Sequence, residues 1–237
     1  MRDVLDMHTH TLVSGHAYNT MMEMVQAAKD KNLELLGITD HAPKMPGGPH
    51  LFHFMNMKII PREINGMKVM FGTELNIMDY KGTVDLPEKI LKQMDVTIAS
   101  LHQPCIKSGT REENTEAILN AIKNPYVNII GHPDDGRYLV DYLAIVQAAK
   151  EYHTLLEVNN HSLDNSGSRE NAEENDIKML ELCKEYQVPV IMGSDAHCIW
   201  DVCNHTNVIA LFEKIDFPEE LVVNCSVKEF MNFINQN

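Results

Sequence analysis

The stretch DMHTHTLVSGH, residues 6–16, sets His8, His10 and His16 within nine positions. Imidazole nitrogens are ligands for transition metals, so the chemistry this spacing could do is metal binding. On an extended strand, side chains two apart point the same way. His8 and His10 would then form a pincer, with Asp6 one step deeper on the same side. An H-x-H pair alone is a weak signal, since twelve histidines must fall somewhere in 237 residues. Other motifs add to it: GITDH ends in His41, FGTELN contains Glu74, IASLH ends in His102, IIGHP contains His132, and GSDAH holds Asp195 and His197 two apart.

What would gather these residues is a set of short parallel strands. VLDMH (4–8), LLGIT (35–39), KVMFGTEL (68–75), VTIASL (96–101), VNIIG (127–131), LLEVN (155–159) and PVIMGSD (189–195) are mostly near-continuous apolar runs, as expected of strands covered on both faces. Helical patterns at 20–31, 112–123, 139–153 and 172–186 separate them. Thr20-x-x-Glu23 and Ser226-x-x-Glu229 read as capping boxes, and Asn124-Pro125 and Val188-Pro189 punctuate two strand entries. Seven βα units with short connections favour a closed α/β barrel, one domain over residues 1–237, above an open doubly wound sheet. No glycine-rich dinucleotide or phosphate loop follows any strand.

On that barrel, six of the seven strands deliver imidazole or carboxylate at the C-terminal edge, where such folds build active sites. Seven histidines and two carboxylates gathered without metal would be poorly satisfied. Nine ligands exceed what one tetrahedral ion takes, and three ions sharing a bridging carboxylate fit the count.

The length suits a single α/β barrel, and 44% hydrophobic content suits a globular chain. A formal net charge of -14 argues against broad binding to nucleic acid or anionic membrane. Five cysteines without C-x-x-C read as structural thiols in a reducing compartment, although Cys105 would lie near the metals. No run is apolar enough for a membrane span, and the first motif leaves no room for a signal peptide, so a cytoplasmic location is expected.

DMHTH, ITDH, GTELN, SLH, GHP and GSDAH resemble the successive motifs of the PHP (polymerase and histidinol phosphatase) superfamily. The contexts GHAYNT and PHLFHFMNMKIIPR (49–62) resemble its YcdX-type phosphatase branch. The resemblance covers nearly the whole chain. It implies a distorted (β/α)7 TIM-like barrel with three divalent ions, most often zinc, at the C-terminal ends of the strands; manganese and iron suit similar donors. Carried over by position, one ion takes His8, His10, Glu74 and Asp195, a second shares Glu74 and adds His102 and His132, and a third takes His16, His41 and His197.

Several residues remain as lesser candidates. Asp6 could orient a ligand histidine through its other ring nitrogen, or line the barrel floor. His50, His53 and Arg62 lie in a connection, 42–62, long enough to overhang the site, and Arg169 lies in the loop-like NSGSRENAE stretch. Of these, His53, Arg62 and Arg169 are the candidate contacts to substrate. Either arginine could clamp a phosphate, with a surface ion pair as the competing reading. Glu157 and Asn159 share one strand face and carry no assigned chemistry. The expected activity is that of a phosphomonoesterase acting on a small phosphorylated substrate through a metal-bound hydroxide. An amidohydrolase-type hydrolase and a metal-binding module without turnover are the alternatives.

Overall fold

A computed structural model describes residues 1–164 and 168–235 of the chain. Seven parallel strands pair in the order β1 (Leu5–Asp6), β2 (Leu35–Ile38), β4 (Met67–Asn76), β5 (Val96–Ser100), β6 (Ile129–Ile130), β7 (Leu155–Asn159) and β8 (Val190–Gly193). The short β3 (Glu63–Ile64) lies antiparallel against β4. The apolar runs thus become strands where expected, with shorter ladders at β1, β6 and β8 and a longer one at β4.

Both faces of the sheet are dry. Inside, Leu5, Leu35, Met70, Ile98, Ile129, Leu155 and Ile191 pack with Phe230 and Ile234 of α8 (Val227–Ile234), which plugs the N-terminal end of the barrel. Phe230 is fully buried there, and burial of such a side chain is worth about 2–3 kcal/mol. Outside, the strands are covered by α1 (Met21–Asp30), α4 (Arg111–Ile122), α5 (Tyr142–Glu151), α6 (Ala172–Tyr186) and α7 (Thr206–Lys214). Met24, Val25 and Ala28 form the buried stripe of α1, and its Thr20–Glu23 capping box is present as read. A second box, Thr110–Glu113, starts α4. At α8 only half of one forms: Ser226 accepts from the Glu229 amide. The 42–62 connection is no open strap, because it folds through α2 (Leu51–Asn56) before β3; α3 (Glu88–Leu91) follows later.

The barrel closes through a seam and not a ladder. Between the ends of β1 and β8 the backbone makes a single bridge, Thr9 to Ala196. Below it the side chain of Asn224 stands in for the missing strand contacts. Its Oδ1 accepts from Met192 N (2.7 Å), and its Nδ2 donates to Met192 O (2.9 Å) and Leu5 O (3.1 Å). Its own carbonyl takes the Val4 amide at 2.8 Å. Among the described residues no helix is long and apolar enough to cross a membrane.

Candidate metal centre

Strand ends bring the nine candidate ligands to one mouth, and Glu74 near the end of β4 is the hub. Its carboxylate lies 3.5 Å from His8 Nε2, 3.6 Å from His10 Nε2, 2.6 Å from His41 Nδ1, 3.1 Å from His102 Nε2 and 2.9 Å from His132 Nε2. Asp195 closes the other side, with Oδ1 at 3.2 Å from His10 Nε2 and 3.5 Å from His8 Nε2. His16 Nε2 faces His41 Nε2 at 3.3 Å, and its ring stacks on His197 at 4.7 Å. Three triplets here have donor atoms within 4.8 Å of one another: His8, His10 and Glu74; His41, Glu74 and His102; His10, His41 and His197. His41 thus sits against Glu74 as well as beside His16, a closer approach than the strand positions suggested.

The imidazoles are aimed. His8 Nδ1 lies 2.6 Å from Glu157 Oε1, His102 Nδ1 2.7 Å from Asn76 Oδ1, His10 Nδ1 3.2 Å from Ser14 Oγ, and His197 Nδ1 2.9 Å from the Asp195 carbonyl. An acceptor on one ring nitrogen sets the tautomer and leaves the opposite lone pair for a metal. For His8, His10 and His197 that opposite atom, Nε2, is buried without a hydrogen-bond partner, as is Glu74 Oε2, whereas His102 Nε2 meets Glu74 Oε1. Orphaned donors and acceptors of this kind are costly in a protein interior, and divalent cations fit them.

Electrostatics agree with a ligand role. Burial drives the His102 imidazole down to about 4, although Glu74 opposes it, and burial with neighbouring His41 and His197 holds His10 well below its ordinary value. Both rings are neutral at pH 7. Burial opposes the charge on Glu74, but His102, His41 and His8 outweigh it and keep the carboxyl well below its ordinary range. Asp195 is likewise held down, against burial, by His8, His10 and Arg169. His8 is the exception: against burial, Glu157, Asp195 and Glu74 raise its pKa, so a metal would have to displace its proton.

The lesser candidates divide. Arg169 reaches the site, with one terminal nitrogen 3.0 Å from Asp195 Oδ2 and the other near Asn159 Oδ1 and Ser162 Oγ. It lines a cleft of about 430 Å³ above the histidines, together with Arg137 and His161. Residues 165–167 of its NSGSRENAE stretch lie outside the described ones. Arg62 does not come to the site. Its guanidinium is taken by the carbonyls of Met57 and Ile60 and by Asp95, which precedes β5 at the opposite edge of the sheet. His53 also turns elsewhere, into an apolar cavity lined by Leu12, Met21 and Phe71, with Nε2 3.9 Å from Asp40. His50 is only the N-cap of α2. Asp6 meets no imidazole of the mouth. Its carboxylate accepts the His8 and Cys203 amides and the amide and hydroxyl of Ser194, because Leu5 and Met7, not Asp6, face the barrel interior.

Sequence reasoning missed the residues that hold the candidate ligands. Glu157 is the foremost: Oε1 meets His8 while Oε2 accepts from His132 N at 2.8 Å and Asn159 Nδ2 at 3.1 Å. A lone acid in the apolar run LLEVN was the available signal. Asp40 is a second: it accepts from Ser14 Oγ at 2.7 Å and Thr11 N at 2.7 Å, fixing the serine that meets His10.

A parallel barrel with a histidine- and carboxylate-lined mouth defines a class, the metal-dependent hydrolase barrels. The PHP domain family matches residues 6–166, and the chain belongs to it. Over 237 residues it is 47% identical to a protein named "Probable phosphatase" from Caldanaerobacter subterraneus subsp. tengcongensis, covering all of this chain and 92% of that one. A "Probable phosphatase" from Clostridium novyi is 44% identical over 99% of this chain and 95% of its own length. Among solved structures, histidinol phosphate phosphatase from Lactococcus lactis subsp. lactis, complexed with zinc, L-histidinol and phosphate, superimposes with a TM-score of 0.60 at 18% identity, covering 91% of this chain and 95% of that one. That similarity establishes the shared fold.

Proposed function

We propose that this PHP protein is a metal-dependent phosphomonoesterase that hydrolyses a small phosphorylated substrate at a trinuclear centre, with zinc as the native ion. The observation that carries the reading is Glu74, one buried carboxylate with five imidazoles within 3.6 Å. The names of the full-length relatives support phosphatase activity, and the zinc and phosphate of the Lactococcus lactis structure support the ion and the substrate class. His8, His10, Glu74 and Asp195 would hold one ion, Glu74, His102 and His132 a second, and His16, His41 and His197 the third. Divalent ions bound there would supply Lewis acidity and the hydroxide that attacks phosphorus. The chain's own part is to keep His10 and His102 neutral, to hold His8 through Glu157, and to present Arg169 to the anion from the cleft wall. The whole chain acts as one domain, since Asp195 and His197 lie beyond residue 166 but complete the same mouth. A cytoplasmic setting fits the five free thiols.

The test is phosphate release from an aryl phosphate, paired with elemental analysis of the same preparation. About three ions per chain and activity abolished by a chelator are expected. One ion or fewer in metal-replete protein, or turnover indifferent to chelation, would overturn the proposal.

A further inference from the structure

A second group of metal-ligand side chains lies apart from the barrel mouth. Asp3, just before β1, meets Cys203 and His205 from the loop that leads into α7. Asp3 Oδ2 is 2.6 Å from His205 Nδ1 and 3.4 Å from Cys203 Sγ, and the three donor atoms fall within 4.8 Å of one another. None of the three belongs to the nine residues of the mouth. We propose that Asp3, Cys203 and His205 form a separate structural site for one thiophilic divalent cation, zinc by its donor set, which ties the N-terminal segment to the loop between β8 and α7 beside the β1–β8 seam.

The donors are prepared for this. His205 is only 2% exposed, and its Nε2 is buried without a hydrogen-bond partner, 3.7 Å from Asp6 Oδ1. With Nδ1 on a metal, Nε2–H would point at the Asp6 carboxylate, the arrangement that orients ligand histidines in metal sites generally. Asp6 is anchored in turn by Ser194 Oγ at 2.5 Å and by the Cys203 amide at 2.8 Å. Cys203 has φ of 56°, a left-handed conformation that a non-glycine residue adopts only where its surroundings hold it, and here it brings the thiol onto Asp3. Asp3 is 20% exposed at its side chain, so water can reach the site and fill the fourth position of a tetrahedral ion. One sulfur, one nitrogen and one oxygen select zinc above magnesium or manganese. Loading releases the Cys203 thiol proton and the proton on His205 Nδ1 to solvent. Residues 3 and 203 are 200 apart in sequence. An ion joining them would therefore brace the place where the barrel lacks a continuous ladder.

The sulfur makes the site separable by spectroscopy, because the nine residues of the mouth offer only nitrogen and oxygen. Chelator-stripped, reduced protein is titrated with Co²⁺, and the near-ultraviolet thiolate-to-cobalt charge-transfer band is followed. The expected result is a band that saturates at one thiolate-bound ion per chain. It should persist in Glu74→Gln and in Cys198→Ser, and vanish in Cys203→Ser. A folded wild-type protein with no such band at saturating Co²⁺, or a band unchanged in Cys203→Ser, overturns the proposal. Should Cys203→Ser fail to fold, iodoacetamide labelling of the wild type read by peptide mass decides. Zn²⁺ should protect Cys203 at least ten-fold and chelator should restore its reactivity, whereas labelling indifferent to Zn²⁺ overturns the site. Because this readout does not depend on turnover, it stands or falls separately from the phosphatase reading.

Discussion

Replacing Glu157 by glutamine would test whether the mouth depends on a buried acceptor that touches no metal. Both carboxylate oxygens accept: Oε1 faces His8 Nδ1 at 2.6 Å, and Oε2 faces His132 N at 2.8 Å and Asn159 Nδ2 at 3.1 Å. An amide has one acceptor and one donor end, so no orientation satisfies all three. With its oxygen toward His8, the NH₂ opposes two other donors, leaving buried N–H groups that cost about 1–3 kcal/mol each. With its oxygen toward His132, the NH₂ faces His8 Nδ1 and forces the ring proton onto Nε2. That removes the lone pair that looks toward Glu74 and Asp195, 3.5 Å from each. The expected outcome is a folded variant with metal affinity and kcat/KM both reduced ~10–100-fold. Competition with a chromogenic chelator measures the first and aryl phosphate hydrolysis the second. A Glu157→Gln protein that matches the wild type in both would refute the argument that this carboxylate fixes the His8 tautomer.

Glu74→Gln should keep its fold, lose at least two of the ions and drop turnover by roughly 10²-fold, since the hub touches several candidate ligands at once; circular dichroism, elemental analysis and a rate on one preparation check it. Asn224→Ala should lower unfolding stability by about 3 kcal/mol in urea titrations, because it strands the Met192 amide and the carbonyls of Met192 and Leu5 at the seam. A loss under about 1 kcal/mol would show that the seam needs no suture. A pH dependence follows from His205, whose pKa is raised well above 6.5: burial opposes the charge, but the hydrogen bond to Asp3 and the nearby Asp6 carboxylate prevail. A raised folded pKa stabilises fully below the unfolded value of about 6.5 and is lost as pH rises through the folded value. In chelator-treated protein the stability gap between wild type and His205→Gln should therefore be widest near pH ~6 and narrow steadily in alkaline buffer. A gap that widens with pH would reverse the assignment.

The sequence alone determined the barrel and the nine-residue set at its mouth, for a physical reason. Strands covered on both faces read as continuous apolar runs, and a ligand placed just past each run must emerge at the same edge of a parallel sheet. His41, Glu74, His102, His132 and Asp195 were legible in this way. What only the tertiary structure decided was every interaction made between strands. Glu157 and Asn76 show nothing in local spacing of the imidazoles they hold, because their partners lie 149 and 26 residues away. Arg62 and Arg169 looked alike as phosphate clamps, yet Asp95 and two carbonyls take the first while Asp195 draws the second into the cleft. Asp6 had the strand parity of a helper, but Leu5 and Met7 take the interior positions and Asp6 lies against Ser194 and Cys203 instead. Periodicity specifies which edge a side chain reaches; which neighbour meets it there is settled by packing between segments distant in the chain.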